Sequence, residues 1–279
     1  MPPAAPIAQP AVSEEVIEDI HSGTRRYIRE NHAILFGTVL IVCIAGSVAL
    51  AVSIVLGLRS GSLRLGSGDF LLPLAPLLIP LGFYAHFRSV VTKVFLRQLA
   101  EAIGFTYVGN ASYQSVSGTF FSRGHSPRLS NALTGTHKEH PCRIYEYQYT
   151  EGSGKNSHTY TYTVFEMAYS SSLPHVLINA SSLFTPLKME RVELEGDFDK
   201  SFSVYVDQGK QMEVREILQP DVMQDLIASF EGFGMEMSGS NVYVFRKDTI
   251  TNRTAFLALI ALVDKLFDEI LPGLRAASS

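Results

Sequence analysis

The sequence predicts an α+β protein: two N-terminal transmembrane helices followed by a mostly antiparallel sheet domain with packed helices. Three observations carry this expectation. Ala33–Leu58 is a run of 26 residues without a charge. A second apolar run of 18 residues, Phe70–Phe87, follows a short Gly/Ser-rich loop. From residue 106 onward, short β-branched and aromatic runs alternate with turn residues, interrupted by two helical patterns. Apolar content is 46% of 279 residues and mean hydropathy is +0.14, too polar for a polytopic transporter. A short membrane part carrying one sizeable domain fits both figures.

Residues 1–32 read as a cytoplasmic tail. MPPAAPIAQPAV holds no charge and no periodic apolar pattern. Ser13 is placed to cap a short helix, SEEVIEDI, which Gly23 is expected to interrupt. As a helix, Ala33–Leu58 measures roughly 39 Å against about 30 Å of hydrocarbon, so it spans with some tilt. A 32-residue segment precedes it and its apolar run exceeds that of a secretory signal. Phe70–Phe87 measures roughly 27 Å. Pro73, Pro76 and Pro80 invite kinks there and leave a re-entrant segment open, but the loop before it suits a second crossing. The expected membrane hairpin is therefore 33–87, with spans at 33–58 and 70–87.

Arg25, Arg26 and Arg29 precede the first span, and Arg88, Lys93 and Arg97 follow the second. Only Arg59 and Arg64 lie between them, so both termini and the large domain are expected in the cytoplasm. Residues 88–105 then carry Val91, Val94, Phe95, Leu99 and Ile103 at helical spacing, an amphipathic linker helix with Gly104 at its cap. A lipid-surface helix is the rival reading.

The soluble domain is expected over 106–279. Its clearest feature is a hairpin, CRIYEYQYT–EGSGKNS–HTYTYTVFEMAY. Tyr145, Tyr147 and Tyr149 share one face, as do Tyr160, Tyr162 and Val164, and cross-strand packing explains them better than an aromatic binding platform. HVLINA and RVELEG read as short strands, and SFSVYV with MEVREIL as a second hairpin. PDVMQDLIASF turns helical, NVYVF closes the sheet, and TNRTAFLALIALVDKLFDEIL forms a C-terminal amphipathic helix.

LEGDFDKSFSVY (194–205), ILQPDVMQDLI (217–227) and NVYVF (241–245) resemble the C-terminal half of a bacterial membrane family, domain of unknown function 3137. LTGTHKEHPCRIYEYQY (133–149) is similar to its strand–turn–strand segment. The resemblance covers roughly residues 85–270 and implies two hydrophobic segments, a linker helix and an α+β domain in the bacterial cytoplasmic membrane. It implies no activity.

Candidate chemistry is sparse. GSGK at 152–155 lacks the flanking residues of a P-loop and sits at a hairpin tip. His137, His140 and Cys142 are ligand-like, with His125 or His158 as a fourth donor, yet no second ligand pair stands at a recognised spacing. Glu193, Glu195, Asp197 and Asp199 alternate with apolar residues as the solvent face of a strand and turn. The sequons at Asn110, Asn179 and Asn252 are silent in a cytoplasmic domain. Residues 106–249 hold 12 Lys and Arg against 17 Asp and Glu, which argues against nucleic acid. The expectation is a membrane-anchored interaction module with no cofactor, bound to the bilayer by two spans and to an unidentified protein partner. Its binding surface is placed at the hairpin tip: Glu151, Gly152, Ser153, Gly154, Lys155, Asn156 and Ser157. A membrane-tethered hydrolase or metal-dependent enzyme, and a lipid- or envelope-stress-responsive component, are the alternatives.

Overall fold

The structure is a computed structural model that describes residues 16–61, 69–113, 116–180, 184, 186, 188–194 and 196–270. The chain divides into two compact units, Met1–Phe95 and Leu96–Ser279.

In the first unit, α1 (Ile20–Asn31) starts at Asp19, whose carboxylate accepts the Ser22 N–H at 2.8 Å. Residues 16–19 are not helical, so the helix expected over 13–20 is not found there; α1 begins where that one is expected to end, and Gly23 does not interrupt α1. It lies inside it because a Cβ there would stand 2.9 Å from Ile17 and 3.2 Å from Val91. The expected cap at Ser13 lies outside the described residues. Next comes α2 (Ala33–Arg59), in which Cys43 is the buried residue. Pro73 and Pro76 sit in a 3₁₀ stretch, Asp69–Leu77, and α3 (Leu78–Ala102) continues from it. Two helical stretches, Ala33–Arg59 and Leu71–Ala102, are long and apolar enough to cross a membrane. The expected break between span and linker at Arg88 is absent: α3 runs through it, and Gly104, at φ +71°, follows its end.

Among the described residues the second unit is built on one antiparallel sheet of seven strands: β1 (Thr106–Ala111), β2 (His125–His137), β3 (His140–Glu151), β4 (His158–Ala180), β5 (Glu190–Val192), β6 (Phe202–Val206) and β7 (Phe233–Lys247). The order is β1-β2-β3-β4-β6-β5, with β7 along the other side of β4. The 23-residue β4 is thus the spine, its first half flanked by β3 and its second by β6. HVLINA is the end of this strand rather than a separate one. RVELEG shortens to the three residues of β5. MEVREIL is not the partner of SFSVYV; Gln211–Ile217 is helix α5, following α4 (Phe198–Ser201). Its Val214 and Leu218 are buried at helical spacing, which an alternating strand reading cannot separate over so few residues. Helices α6 (Pro220–Ser229) and α7 (Arg253–Lys265) form where helical spacing places them.

β4 and β7 bend together. Their pairing slips at Leu173, opposite Gly239, which has φ +60°. In a straight strand Gly234 and Phe245 would lie about 36 Å apart. Here a Cβ on Gly234 would meet the Phe245 ring at 2.2 Å, so the two halves of the ribbon fold toward each other. The concave side holds the aromatic core. Tyr145 faces Val164, Tyr147 faces Tyr162 and Tyr149 faces Tyr160, so the residues that alternation places on one face pack across the ladder. Phe120, from the segment joining β1 to β2, stacks on Phe245 at 4.0 Å. On the opposite face, Phe256 of α7 lies with Leu96, Leu133 and Ile144.

Candidate functional site: a cationic cavity beside a buried carboxylate

The β1–β2 segment is a strap across the concave face, and its hydrogen bonds run to the sheet. Glu236, fully buried in β7, accepts the N–H groups of Thr119 at 2.5 Å and Phe120 at 2.9 Å. Tyr113 and Tyr147 both donate to the Phe121 carbonyl, at 2.6 and 3.2 Å, and Ser117 N–H donates to the Tyr243 hydroxyl. Gly118 is required here, since a Cβ would stand 2.9 Å from the Glu236 carboxylate at φ +129°. His175, at the rim of β4, completes the arrangement: Nε2 lies 2.9 Å from Glu236 and Nδ1 2.9 Å from Asp207. The Glu236 hydrogen bond holds the His175 pKa above its ordinary value, against the opposing effect of burial. A doubly donating imidazolium between two carboxylates is a structural latch; its ring nitrogens and the Glu236 oxygens are already engaged.

Beside the latch lies a cavity of about 360 Å³ lined by Thr119, Ser122, Arg123, Glu151 and Lys188. Arg123 follows the strap directly. Its Nε and Nη2 donate to Glu151 Oε1, at 3.2 and 2.5 Å, and its guanidinium lies 4.5 Å over the Phe184 ring. The remaining nitrogen, Nη1, is buried with no hydrogen-bond partner. Lys188 is exposed and forms no ion pair with a described residue.

The sequence-derived candidates fall in two places. Glu151 lines the cavity; Gly152, Ser153, Gly154, Lys155, Asn156 and Ser157 form the exposed tip beyond it, with a single 3₁₀ turn at Gly154–Asn156. The His137, His140 and Cys142 set is at the other end of the β3–β4 ladder, on the strand ends that flank the two-residue β2–β3 turn. His137 Nε2 binds Asp264 of α7 at 2.8 Å, and His140 stacks on Tyr169 at 5.0 Å. Cys142 is buried, its thiol pushed up to about 12 by desolvation, which disfavours the thiolate a metal needs. Among the described residues no group of three His, Cys, Asp or Glu side chains is placed to hold a metal. Of the acidic run, Asp197 pairs with Lys200 at 2.6 Å and Asp199 accepts the Leu194 N–H, while Glu195 lies outside the described residues. Two sequon asparagines are structural: Asn179 is buried in β4 and Asn252 caps α7.

Sequence reasoning missed Arg123, His175, Lys188 and Glu236. One signal was available, the single charge in the otherwise apolar FGMEM of β7. Arg123 and Lys188 carried none, because 65 positions of chain separate them and only the fold brings both to one cavity.

These features define a class: an α+β protein with two membrane-length apolar helices and a folded antiparallel sheet strapped over an aromatic core. Within that class, the chain is similar to the crystal structure of the mycobacterial trehalose monomycolate transport factor A, TtfA. The TM-score is 0.51 at 14% identity, covering 66% of this chain and 96% of that one. At that identity the likeness is one of fold. No family model matches the chain, and no curated protein matches it by sequence.

Proposed function

We propose that the chain is a membrane-anchored interaction module whose large domain faces the cytoplasm and works by binding rather than by chemistry. One observation carries the reading. The side chains best suited to catalysis are engaged with each other, His175 with Glu236 and Asp207 and His137 with Asp264, whereas the free polar surface gathers around Glu151–Ser157 and the cavity. The resemblance to domain of unknown function 3137 belongs to the same proposal. So does the name of the similar structure, a trehalose monomycolate transport factor. The arginine flanks support the orientation.

Two measurements test it. Ser62→Cys and Ser153→Cys should be labelled from opposite sides of intact cells, against a low background because Cys43 and Cys142 are buried. Labelling of Ser153→Cys from outside overturns the orientation. Replacing Gly152–Asn156 with an Asn-Gly turn should leave the melting temperature nearly unchanged and reduce partner recovery from native membranes. A harmless loop replacement, with recovery lost instead on changing His137, His140 and Cys142 to Ala, favours the metal-dependent reading.

A further inference from the structure

We propose that the cavity between the strap and the β3–β4 hairpin binds a phosphate group, carried on a small polar body such as a glycerol or sugar. This deepens the module reading and rests on it.

The charge balance comes first. Arg123 and Lys188 against Glu151 leave the lining one positive charge in excess, inside a domain whose residues 106–249 are net negative. A cationic hollow there is not an extension of a basic surface, so it selects an anion locally. The donors decide which anion. Glu151 already occupies the Nε–Nη2 edge of Arg123, the edge that a planar carboxylate would grip in bidentate fashion. What remains is Nη1, buried with its hydrogen-bonding capacity unused, and the ammonium of Lys188. A buried guanidinium nitrogen without an acceptor is costly and calls for one.

Thr119 adds a third direction. Its hydroxyl oxygen lies 3.3 Å from His175 Nε2, whose proton goes to Glu236; a protonated nitrogen cannot accept, so the Thr119 hydrogen is left for another acceptor. Donors on three side chains, two from the β1–β2 segment and one from beyond β4, suit a tetrahedral oxyanion with several acceptors. The volume of about 360 Å³ is at the lower end of small-molecule sites, which leaves room for a short polar body beside the phosphate. The stacking of Arg123 on Phe184 and its pair with Glu151 hold the guanidinium in place before any ligand arrives.

The group could come from a soluble metabolite or from a phospholipid headgroup, and the test separates the two. The full chain in a neutral maltoside detergent is titrated calorimetrically with sn-glycerol 3-phosphate and with dihexanoyl phosphatidylglycerol below its micelle concentration. Saturable binding of at least one is expected. Binding of the first points to a soluble ligand, and binding of the second alone points to a headgroup. Lys188→Gln should weaken it at least tenfold with an unchanged melting temperature, because Lys188 is exposed. Arg123→Gln should abolish it, but that residue also packs on Phe184, so Lys188→Gln is the deciding variant. No saturable heat with either probe, or equal affinity in Lys188→Gln, overturns the proposal. Release of inorganic phosphate from glycerol 3-phosphate would instead sink the non-enzymatic reading and leave the binding site standing.

Discussion

The helix α2 and the hairpin β3–β4 are both rich in large apolar side chains, and they treat them in opposite ways. Ile34, Ile41, Val42, Val48 and Leu56 of α2 are exposed, while Tyr145, Tyr147, Tyr149 and Tyr162 of the hairpin are almost wholly buried. The hairpin has its own solvent for apolar groups, the concave side of a folded sheet. The helix has none among the described residues, and its exposed apolar surface is of the length and composition that a lipid bilayer would cover. Apolar content alone therefore does not distinguish an anchor from a core; the presence of a strap and a second layer does.

The largest effect should come from separating the two regions. A fragment starting near Arg88 should remain soluble without detergent and melt in one cooperative transition, whereas the full chain should aggregate in the same buffer. A fragment without cooperative melting, followed by circular dichroism, would break the contrast, because the domain would then depend on the anchor. A smaller effect is expected at the strap. Glu236→Ala leaves two amides and a charged His175 without their acceptor and should cost about 3–5 kcal/mol in denaturant unfolding. A loss below about 1 kcal/mol would mean that the strap is held by Phe120 packing and its bonds to Tyr147 and Tyr243 rather than by Glu236.

His175 sharpens the comparison by pH. Its folded pKa is raised, chiefly by the Glu236 hydrogen bond, so its contribution is complete below about pH 6.5 and is lost as pH climbs through the raised folded value. Thermal melts from pH 6 to 9 should fall in the wild type and flatten in His175→Gln; parallel slopes would remove the latch from the account. The smallest effect is at the β2–β3 turn, where Lys138 and Glu139 adopt φ of +47° and +67°. Glu139→Gly should stabilise the domain by about 0.5 kcal/mol, the relief of left-handed strain less the entropy of a glycine.

Much of this fold was legible. Alternation in Tyr145–Tyr149 and Tyr160–Val164 specifies which side chains share a face, and the structure pairs those faces across one ladder. Long uncharged runs specify membrane-length helices, and these are present. The second hairpin failed because Met212–Leu218 is too short for its apolar spacing to separate strand from helix. The site was barely legible. Glu151 was named as part of an exposed tip, but its cavity depends on the strap and on Pro186 and Lys188, and no local pattern announces that a strand will fold over a glycine at 234. The turn within 133–149 was implied by the resemblance, but its left-handed conformation was hidden, since neither Lys138 nor Glu139 is a residue that left-handed turns favour.

The acceptor for the strap amides lies 117 positions further along the chain for Thr119 and 116 for Phe120. Those bonds close a loop containing most of the sheet, so they cannot form before β7 has joined β4. Strap closure should thus be a late event in folding. In the native protein it sets an unusual hydrogen-exchange pattern: the Thr119 and Phe120 amides, though outside any strand, should exchange as slowly as the β4–β7 ladder and in step with it.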